Sequence, residues 1–167
     1  QPDDSPVTMG GILQPHREQT IRRMQAQPSV LCIQDGTDLN YTNLDKCQGL
    51  HTIGKNQTGA KSKGLHLHST LAVTTTGLPL GVLRADCPQP HPKPPKVKDK
   101  NGRLKDVRSY QIPIEEKKTF AWIEGLRDLN TIAGQTPGTR VISVMDREAD
   151  FFELFDQSRG HSFGRAG

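Results

Sequence analysis

The sequence predicts an α/β domain built on a mixed sheet with flanking helices. Its 167 residues suit one domain of ordinary size. Two apolar, β-rich runs, residues 30–34 and 141–145, lie far apart in the chain, and a helical pattern at residues 115–133 lies between them. A strand–helix–strand crossover can therefore bring the late strand alongside the first.

The first two elements are indicated by a helical face and a short apolar run. Residues 14–27 predict a short helix with Ile21 and Met24 on one face. The run at residues 30–34 lacks polar alternation, which is typical of a strand covered on both sides. Asp35–Gly36 predicts a turn that ends this strand, because Gly supplies a positive φ and Asp tolerates tight geometry. A ligand-binding role for the aspartate is the alternative, and it is compatible with a turn.

A loop and a hairpin are predicted next. Residues 51–64 are rich in Gly, Lys and polar side chains, a composition typical of a loop. Residues 65–76 and 78–87 are β-rich and are separated at Thr76–Gly77. This pattern predicts a β-hairpin.

A basic, proline-rich insertion is predicted at residues 88–108. Five of the 12 prolines fall between Pro88 and Pro95, and proline is excluded from the interior of helices and sheets. Residues 93–108 hold seven Lys or Arg against two Asp, so their charge of +5 exceeds the +4 of the whole chain. Such a concentration indicates a polyanion partner, and a merely solvated insertion is an equally good interpretation.

The last third of the chain predicts a helix, a strand and a second helix. Residues 115–133 repeat apolar side chains at spacings of four, three and four, which is the pattern of a helix packed on a sheet. A strand follows at residues 141–145. Asp150 and Glu153 are typical of a capping box that opens the final helix. The apolar face of that helix carries Phe151, Leu154 and Phe155.

Composition argues against several classes of protein. No apolar run reaches 18 residues and no basic, then apolar, leader is visible, so a cytoplasmic protein without a membrane span or signal peptide is expected. Cys32, Cys47 and Cys87 are widely spaced and include no Cys-x-x-Cys pair. This argues against a disulfide framework and a structural zinc.

Two aspartates are the candidate site residues. Asp35 and Asp146 each follow an apolar strand, and if those strands are parallel neighbours both carboxylates project from one edge of the sheet. They would repel each other unless a cation or a basic group lay between them, and Mg²⁺ or Mn²⁺ prefers such oxygen ligands. Asp146 could instead be a helix cap, although Asp150 is the better candidate for that role. His66 and His68 share a strand face and could bind a metal, but no third ligand is evident, so packed or surface histidines are favoured.

Three stretches carry a resemblance to a known family. "VLCIQDGTDLNYT", "GLHLHSTLAVTTTGLPLGVL" and "VISVMDREADFFELF" resemble the bacterial cut-and-paste transposases of the insertion-sequence type. Those are DDE enzymes with an RNase H-like core and a Tyr-Arg-Glu-Lys signature around their last acid. The similarity runs from about Pro15 to Asp156, and the Asp-Arg-Glu-Ala-Asp stretch at 146–150 is its most specific piece.

The resemblance implies roles for individual residues. Asp35 would be the first catalytic acid and Asp146 the second, each ligating two divalent ions, Mg²⁺ or Mn²⁺. The family usually has Thr after the first Asp, whereas this chain has Gly36. Candidates for contacts with DNA phosphates are Arg147, Lys55, Lys61 and Lys63.

The resemblance also implies that this chain is part of a larger enzyme. Its reaction would be DNA transposition, a metal-dependent phosphoryl transfer on double-stranded DNA at transposon ends and target, in the bacterial cytoplasm at the nucleoid. Neither the third catalytic Glu nor a Tyr-x-x-Arg signature follows Asp146. We therefore expect a fragment that is inactive alone, from a parent that is a homodimer. Its expected parts are a connection from an N-terminal DNA-binding region (1–14), a partial catalytic domain (15–158) and a truncated end (159–167).

Two other interpretations remain open. A non-catalytic DNA-binding or interaction fragment would use the basic insertion and leave the aspartates structural. Another RNase H-like nuclease would keep the fold and change the substrate. Joining of donor ends to target DNA separates transposase from nuclease, and salt-sensitive binding that is indifferent to Mg²⁺ favours the binding fragment.

Overall fold

A computed structural model describes residues 7–44, 46–55, 58–89 and 94–160. Residues 1–6 of the predicted connection (1–14), residues 161–167 of the predicted truncated end (159–167) and residues 90–93 of the proline-rich run lie outside the described residues. The elements in order are α1 Met9–Gln25, β1 Ser29–Asn40, β2 His51–Lys55, β3 Lys61–Thr74, β4 Pro79–Asp86, β5 Val97–Lys98, β6 Leu104–Lys105, α2 Phe120–Gln135, β7 Arg140–Val144 and α3 Phe152–Gly160. Short 3₁₀ turns lie at Ser109–Gln111, Ile114–Glu116 and Arg147–Ala149.

The main sheet has five strands and mixed directions. Its order is β2-β3-β1-β7, and β4 also pairs with β3. β1 is antiparallel to β3 from Val30–Thr74 to Asn40–Gly64, whereas β7 is parallel to β1. α2 provides the crossover to that parallel strand, so the predicted α/β class with a mixed sheet and flanking helices is confirmed.

The helices α1 and α2 pack on one face of this sheet. The core joins Met24 of α1 and Ile132 of α2 to Val30 and Cys32 of β1 and Ala72 of β3, all fully buried. The alternate residues of β1 point to the other face, where Ile33 is 37% exposed. The prediction that β1 is covered on both sides is therefore wrong for the part of the chain that the structure describes. The sequence did not reveal this alternation because the side chains of residues 30–33 are apolar on both faces of the strand.

Helix α1 is longer than predicted. It begins at Met9, so part of the predicted connection is helical. The Thr8 side chain accepts a hydrogen bond from the Gly11 amide at 3.0 Å and caps the helix. The Met-Gly-Gly start is a poor helix former, and the helix is held by tertiary contacts. Arg17 forms a two-pronged ion pair with Asp128 of α2.

The predicted loop at residues 51–64 is wrong, because β2 and the start of β3 form there. β2 is an edge strand, and edge strands tolerate charged side chains and need no apolar face. The predicted hairpin of β3 and β4 is confirmed, with Gly77 at φ 89° in its turn. The predicted helices and strand of the last third are also present, and α2 begins at Phe120 rather than residue 115. No helix among the described residues is long and apolar enough to cross a membrane.

Gly64 offers a test of how closely these strands pack. It pairs with Asn40 of β1 and His51 of β2, and a Cβ there would overlap the Leu39 carbonyl oxygen. Gly64→Ala should lower the free energy of unfolding by about 2–3 kcal/mol, because backbone must move. Urea denaturation measures this.

The matched control is Gly134→Ala. Gly134 lies in α2 with no atom within 4 Å of the added methyl group. Alanine is the better helix former by about 0.8–1.0 kcal/mol, so this variant should be at least as stable as the parent. If Gly64→Ala were as stable as Gly134→Ala, the close approach of the Leu39 carbonyl oxygen to Gly64 would be contradicted.

Candidate active site

The pairing of β1 with β7 relates Asp35 to Asp146. Each pair joins a residue to the one 111 positions later, from Ser29–Arg140 to Ile33–Val144. Asp35 and Asp146 lie two residues beyond the last pair and keep the same offset, and the Asp146 backbone remains extended at φ −83° and ψ −177°. Side chains two residues apart in a strand point to the same face. Asp35, inside β1, and Asp146, two residues after β7, therefore lie at matching positions along neighbouring segments, and the expected parallel pairing of the two strands is confirmed.

Asp35 lies inside β1, and the predicted turn at Asp35–Gly36 is wrong. β1 continues to Asn40, with Asp35 opposite Ser69 and Gly36 opposite His68. The Asp35 side chain is exposed on the sheet face that the two long helices leave uncovered. The dipeptide is therefore not a turn, and its glycine needs another explanation.

Gly36 makes room for a histidine. A Cβ at position 36 would lie 3.1 Å from the His66 ring atoms Cε1 and Nε2. The Nδ1 atom of that ring lies 2.8 Å from the Asp38 carboxylate, and the Lys118 ammonium lies 4.0 Å from the same oxygen. A threonine at position 36 would press on this imidazole. Glycine here leaves space for the imidazole of the neighbouring strand.

A buried polar chain joins three strands directly beneath the aspartates. The Nε2 atom of His68 on β3 donates to the Gln34 side-chain oxygen at 3.2 Å, since an amide oxygen can only accept. The Gln34 amide donates in turn to Ser143 of β7 at 3.5 Å. This chain links β3, β1 and β7 by side-chain hydrogen bonds, in addition to the backbone pairing that sets Asp35 level with Asp146.

The His68 imidazole is packed rather than available as a ligand. It is 1% exposed, and its ring meets Trp122 edge to face at a centroid distance of 4.7 Å. Burial, and to a smaller extent the charges of Arg84 and His66, lower its pKa from 6.5 to about 4. The imidazole is therefore neutral at pH 7. The role of Gln34 in this hydrogen-bonded chain was not predicted from the sequence, although a polar side chain in an otherwise apolar strand could have indicated it.

Asp146 has a structural role as well. Its Oδ1 atom accepts a hydrogen bond from the Glu148 amide at 2.8 Å and caps the 3₁₀ turn Arg147–Ala149. The expectation that Asp150 would make this cap unnecessary is wrong. A carboxylate has two oxygens and about four lone-pair positions, so a cap can also be a metal ligand.

The donor set fits a hard divalent cation in part. Two aspartates supply carboxylate oxygens, and Mg²⁺ is commonly held by one or two carboxylates together with waters and substrate phosphates. Within residues 7–44, 46–55, 58–89 and 94–160, no group of three His, Cys, Asp or Glu side chains is placed to hold a metal. Asp35 and Asp146 thus suit a site that a further carboxylate would complete.

The other acids after Asp146 lie on or before α3. Glu153 forms an ion pair with Lys117 at 3.2 Å. Its own backbone amide and that lysine lower the pKa of its carboxyl group. Glu153 therefore ties α3 to the segment that precedes α2.

The predicted DNA-contacting residues lie on exposed surface in two places. Arg147 follows Asp146 directly and is exposed. Lys55 pairs with Lys61 across the β2–β3 hairpin, and by alternation Lys61 and Lys63 share the sheet face of Ser69, the partner of Asp35. Six residues of strand separate Lys63 from Ser69, or about 20 Å. The structure therefore puts the lysines on the aspartate face but at a distance.

Searches against protein-family models and against curated proteins find no match to this sequence.

The buried imidazole predicts a pH dependence of stability. Between pH 6.5 and 4 the unfolded chain binds a proton at His68 that the folded chain does not. Stability is therefore fully present above about pH 6.5 and falls as the pH falls toward 4, with a loss of about 2 kcal/mol between pH 7.5 and pH 5. His68→Asn should remove this component in urea titrations at the two pH values.

His16→Asn on the exposed face of α1 is the control, and it should keep the pH dependence of the parent. If His68→Asn lost as much stability between pH 7.5 and pH 5 as the parent does, the neutral buried imidazole would be ruled out.

Proposed function

We propose that this chain is part of the catalytic domain of a DDE transposase with an RNase H-like fold. The observation that carries the proposal is the matching position of Asp35 inside β1 and of Asp146 just after the parallel strand β7. The sequence resemblance gives the same two residues as catalytic acids. The reaction would be DNA transposition by phosphoryl transfer at transposon ends, in a bacterial cell.

The fold assignment rests on the resemblance and on strand order. Three antiparallel strands, β1, β3 and β4, come first in the main body of the sheet, and a helical crossover then leads to a parallel strand beside β1. This arrangement suits an RNase H-like core because the first strand becomes central and receives neighbours on both edges. Asp146, just past the carboxyl end of β7, then lies level with Asp35 of β1, and α/β sheets commonly bind ligands at the carboxyl ends of parallel strands.

A divalent cation is the proposed cofactor. Two carboxylates on neighbouring strands repel each other, and Mg²⁺ or Mn²⁺ between them would remove that repulsion. Asp35 and Asp146 would hold the ions, two in the complete site. Such ions polarise phosphoryl oxygens and lower the pKa of bound water.

The third carboxylate of the proposed site is expected from elsewhere. Glu148, Asp150, Glu153 and Asp156 all lie within ten residues of Asp146, and Glu153 is already paired with Lys117. A chain with two of three acids would hold metal weakly and would not cleave DNA alone. The complete parent, a proposed homodimer, would supply the missing Glu.

Basic side chains favour a DNA substrate. Lys55 lies opposite Lys61, and like charges paired across strands are destabilising. Among the described residues neither lysine forms an ion pair. A phosphate backbone would relieve this repulsion, and Arg147 beside Asp146 would serve the same substrate.

Metal binding tests the aspartate pair without requiring activity. Asp35→Asn and Asp146→Asn keep side-chain shape, and Asn preserves the cap at position 146. Each should weaken Mn²⁺ binding, measured by water proton relaxation, by about tenfold or more, because a neutral amide replaces a charged ligand.

Asp156→Asn is the control, since it removes one exposed carboxylate of α3 away from the pair. It should leave Mn²⁺ affinity unchanged. If all three variants bound Mn²⁺ like the parent, Asp35 and Asp146 would not form a metal site.

Activity in the complete parent tests the reaction. Asp35→Asn or Asp146→Asn should reduce strand cleavage by roughly 10³-fold or more, the effect of losing several kcal/mol of metal-based charge stabilisation. Retained cleavage would refute the catalytic assignment. Cleavage without joining to target DNA would favour another RNase H-like nuclease, and Mg²⁺-independent binding without cleavage would favour a DNA-binding fragment.

A further inference from the structure

The basic insertion contains a small, well-defined hairpin. β5 and β6 pair as Val97–Lys105 and Lys98–Leu104, and Gly102 takes φ 73° in the turn between them. The Asp99 side chain accepts hydrogen bonds from the Asn101 and Arg103 amides at 2.8 and 2.9 Å. Those bonds and Lys105 lower the pKa of the Asp99 carboxyl group. Backbone contacts therefore give this charged segment a fixed shape.

Most of its cations are left without anions. Residues 94–108 carry six Lys or Arg and two Asp, a charge of +4 that equals that of the whole chain. Asp99 pairs with Lys105 and Asp106 with Lys96. Within the part of the chain that the structure describes, no ion pair is formed by Lys98, Lys100 or Arg103. The hairpin thus presents concentrated positive charge on a body of about zero net charge.

The insertion leaves the sheet at the level of Asp35. It follows Asp86, the last residue of β4. Asp86 pairs with His68 of β3, and His68 pairs in turn with Gly36 of β1. Two strand spacings, about 10 Å, separate Asp86 from Gly36. Ten residues beyond the insertion, Lys118 lies 4.0 Å from Asp38, three residues after Asp35 on β1. The point where the insertion leaves the sheet is therefore level with Asp35 along β1, on a strand two positions away.

We propose that the β5–β6 hairpin contacts the phosphate backbone of duplex DNA bound at the aspartate pair. The inference rests on the proposed function and adds a contact surface, Lys98, Lys100 and Arg103, to its site. Phosphates would neutralise these cations with release of counterions. A duplex is favoured over a single strand because single strands need several stacking aromatics, and residues 94–111 contain only Tyr110.

The test removes the three cations together. Lys98→Ala, Lys100→Ala and Arg103→Ala leave the turn intact, because its hydrogen bonds use the Asp99 side chain and backbone atoms. Binding of the 167-residue chain to a fluorescein-labelled duplex of about 30 base pairs is followed by anisotropy in EDTA as NaCl is varied. The slope of log affinity against log salt should decrease in magnitude by about two to three, and affinity near 100 mM salt should fall roughly tenfold to a hundredfold.

A charge-matched control replaces Arg22, Lys46 and Arg140 by Ala, three exposed cations on other elements. This variant should keep most of the affinity and the steep salt dependence. Equal losses in the two triple variants would overturn the inference, because bulk charge would then explain binding. The inference would also be overturned if unlabelled single-stranded RNA competed for binding as well as unlabelled duplex DNA does. Failure of the unsubstituted 167-residue chain to bind the duplex would overturn it too.

The outcome is separable from that of the proposed function. Binding in EDTA does not involve the metal, whereas Mn²⁺ affinity of the aspartate variants does not involve the hairpin. Loss of Mn²⁺ binding in the aspartate variants with no effect of the hairpin variant would keep the proposed metal site and reject the hairpin. The reverse result would keep the hairpin contact and reject the metal site beside it.

Discussion

The structure depends on hydrogen bonding of β1 along both of its edges. β3 pairs with one edge from Val30 to Asn40, and β7 pairs in parallel with the other from Ser29 to Ile33. A strand held on both sides cannot slip by one residue without turning its buried side chains to solvent. The position of one carboxylate relative to the other therefore follows from backbone pairing. The candidate site is a consequence of this register.

Close approaches at three glycines make that pairing possible. Gly36 gives space to the His66 ring, Gly64 lets β3 lie against the Leu39 carbonyl, and Gly125 lets α2 approach the Gln34 side chain. In each case the glycine accommodates a neighbour distant in sequence. The polar chain that passes through Gln34 then holds three strands together beneath the aspartates. Packing and hydrogen bonding thus act on the same few positions of β1.

Electrostatics divides the molecule into a body near neutrality and a basic hairpin. The ion pairs of the body, such as Arg17 with Asp128 and Lys117 with Glu153, join elements to each other. The β5–β6 hairpin has more cations than anions, and the Lys55–Lys61 pair adds to this. Partly buried ion pairs contribute to the fold, whereas unpaired exposed cations contribute little to stability. These cations therefore suit a partner that carries negative charge.

The α/β class, the β3–β4 hairpin and the crossover helix could be predicted from the sequence alone. Each of these features is indicated by local periodicity and composition and can be recognised without knowing which distant residues it contacts. The same reasoning took Asp35–Gly36 for a turn and residues 51–64 for a loop, because a glycine that makes room and an edge strand look locally like breaks. Only the tertiary structure decided the register that aligns Asp35 with Asp146 and the role of Gln34, since the partners of a strand are set by residues far away in the chain.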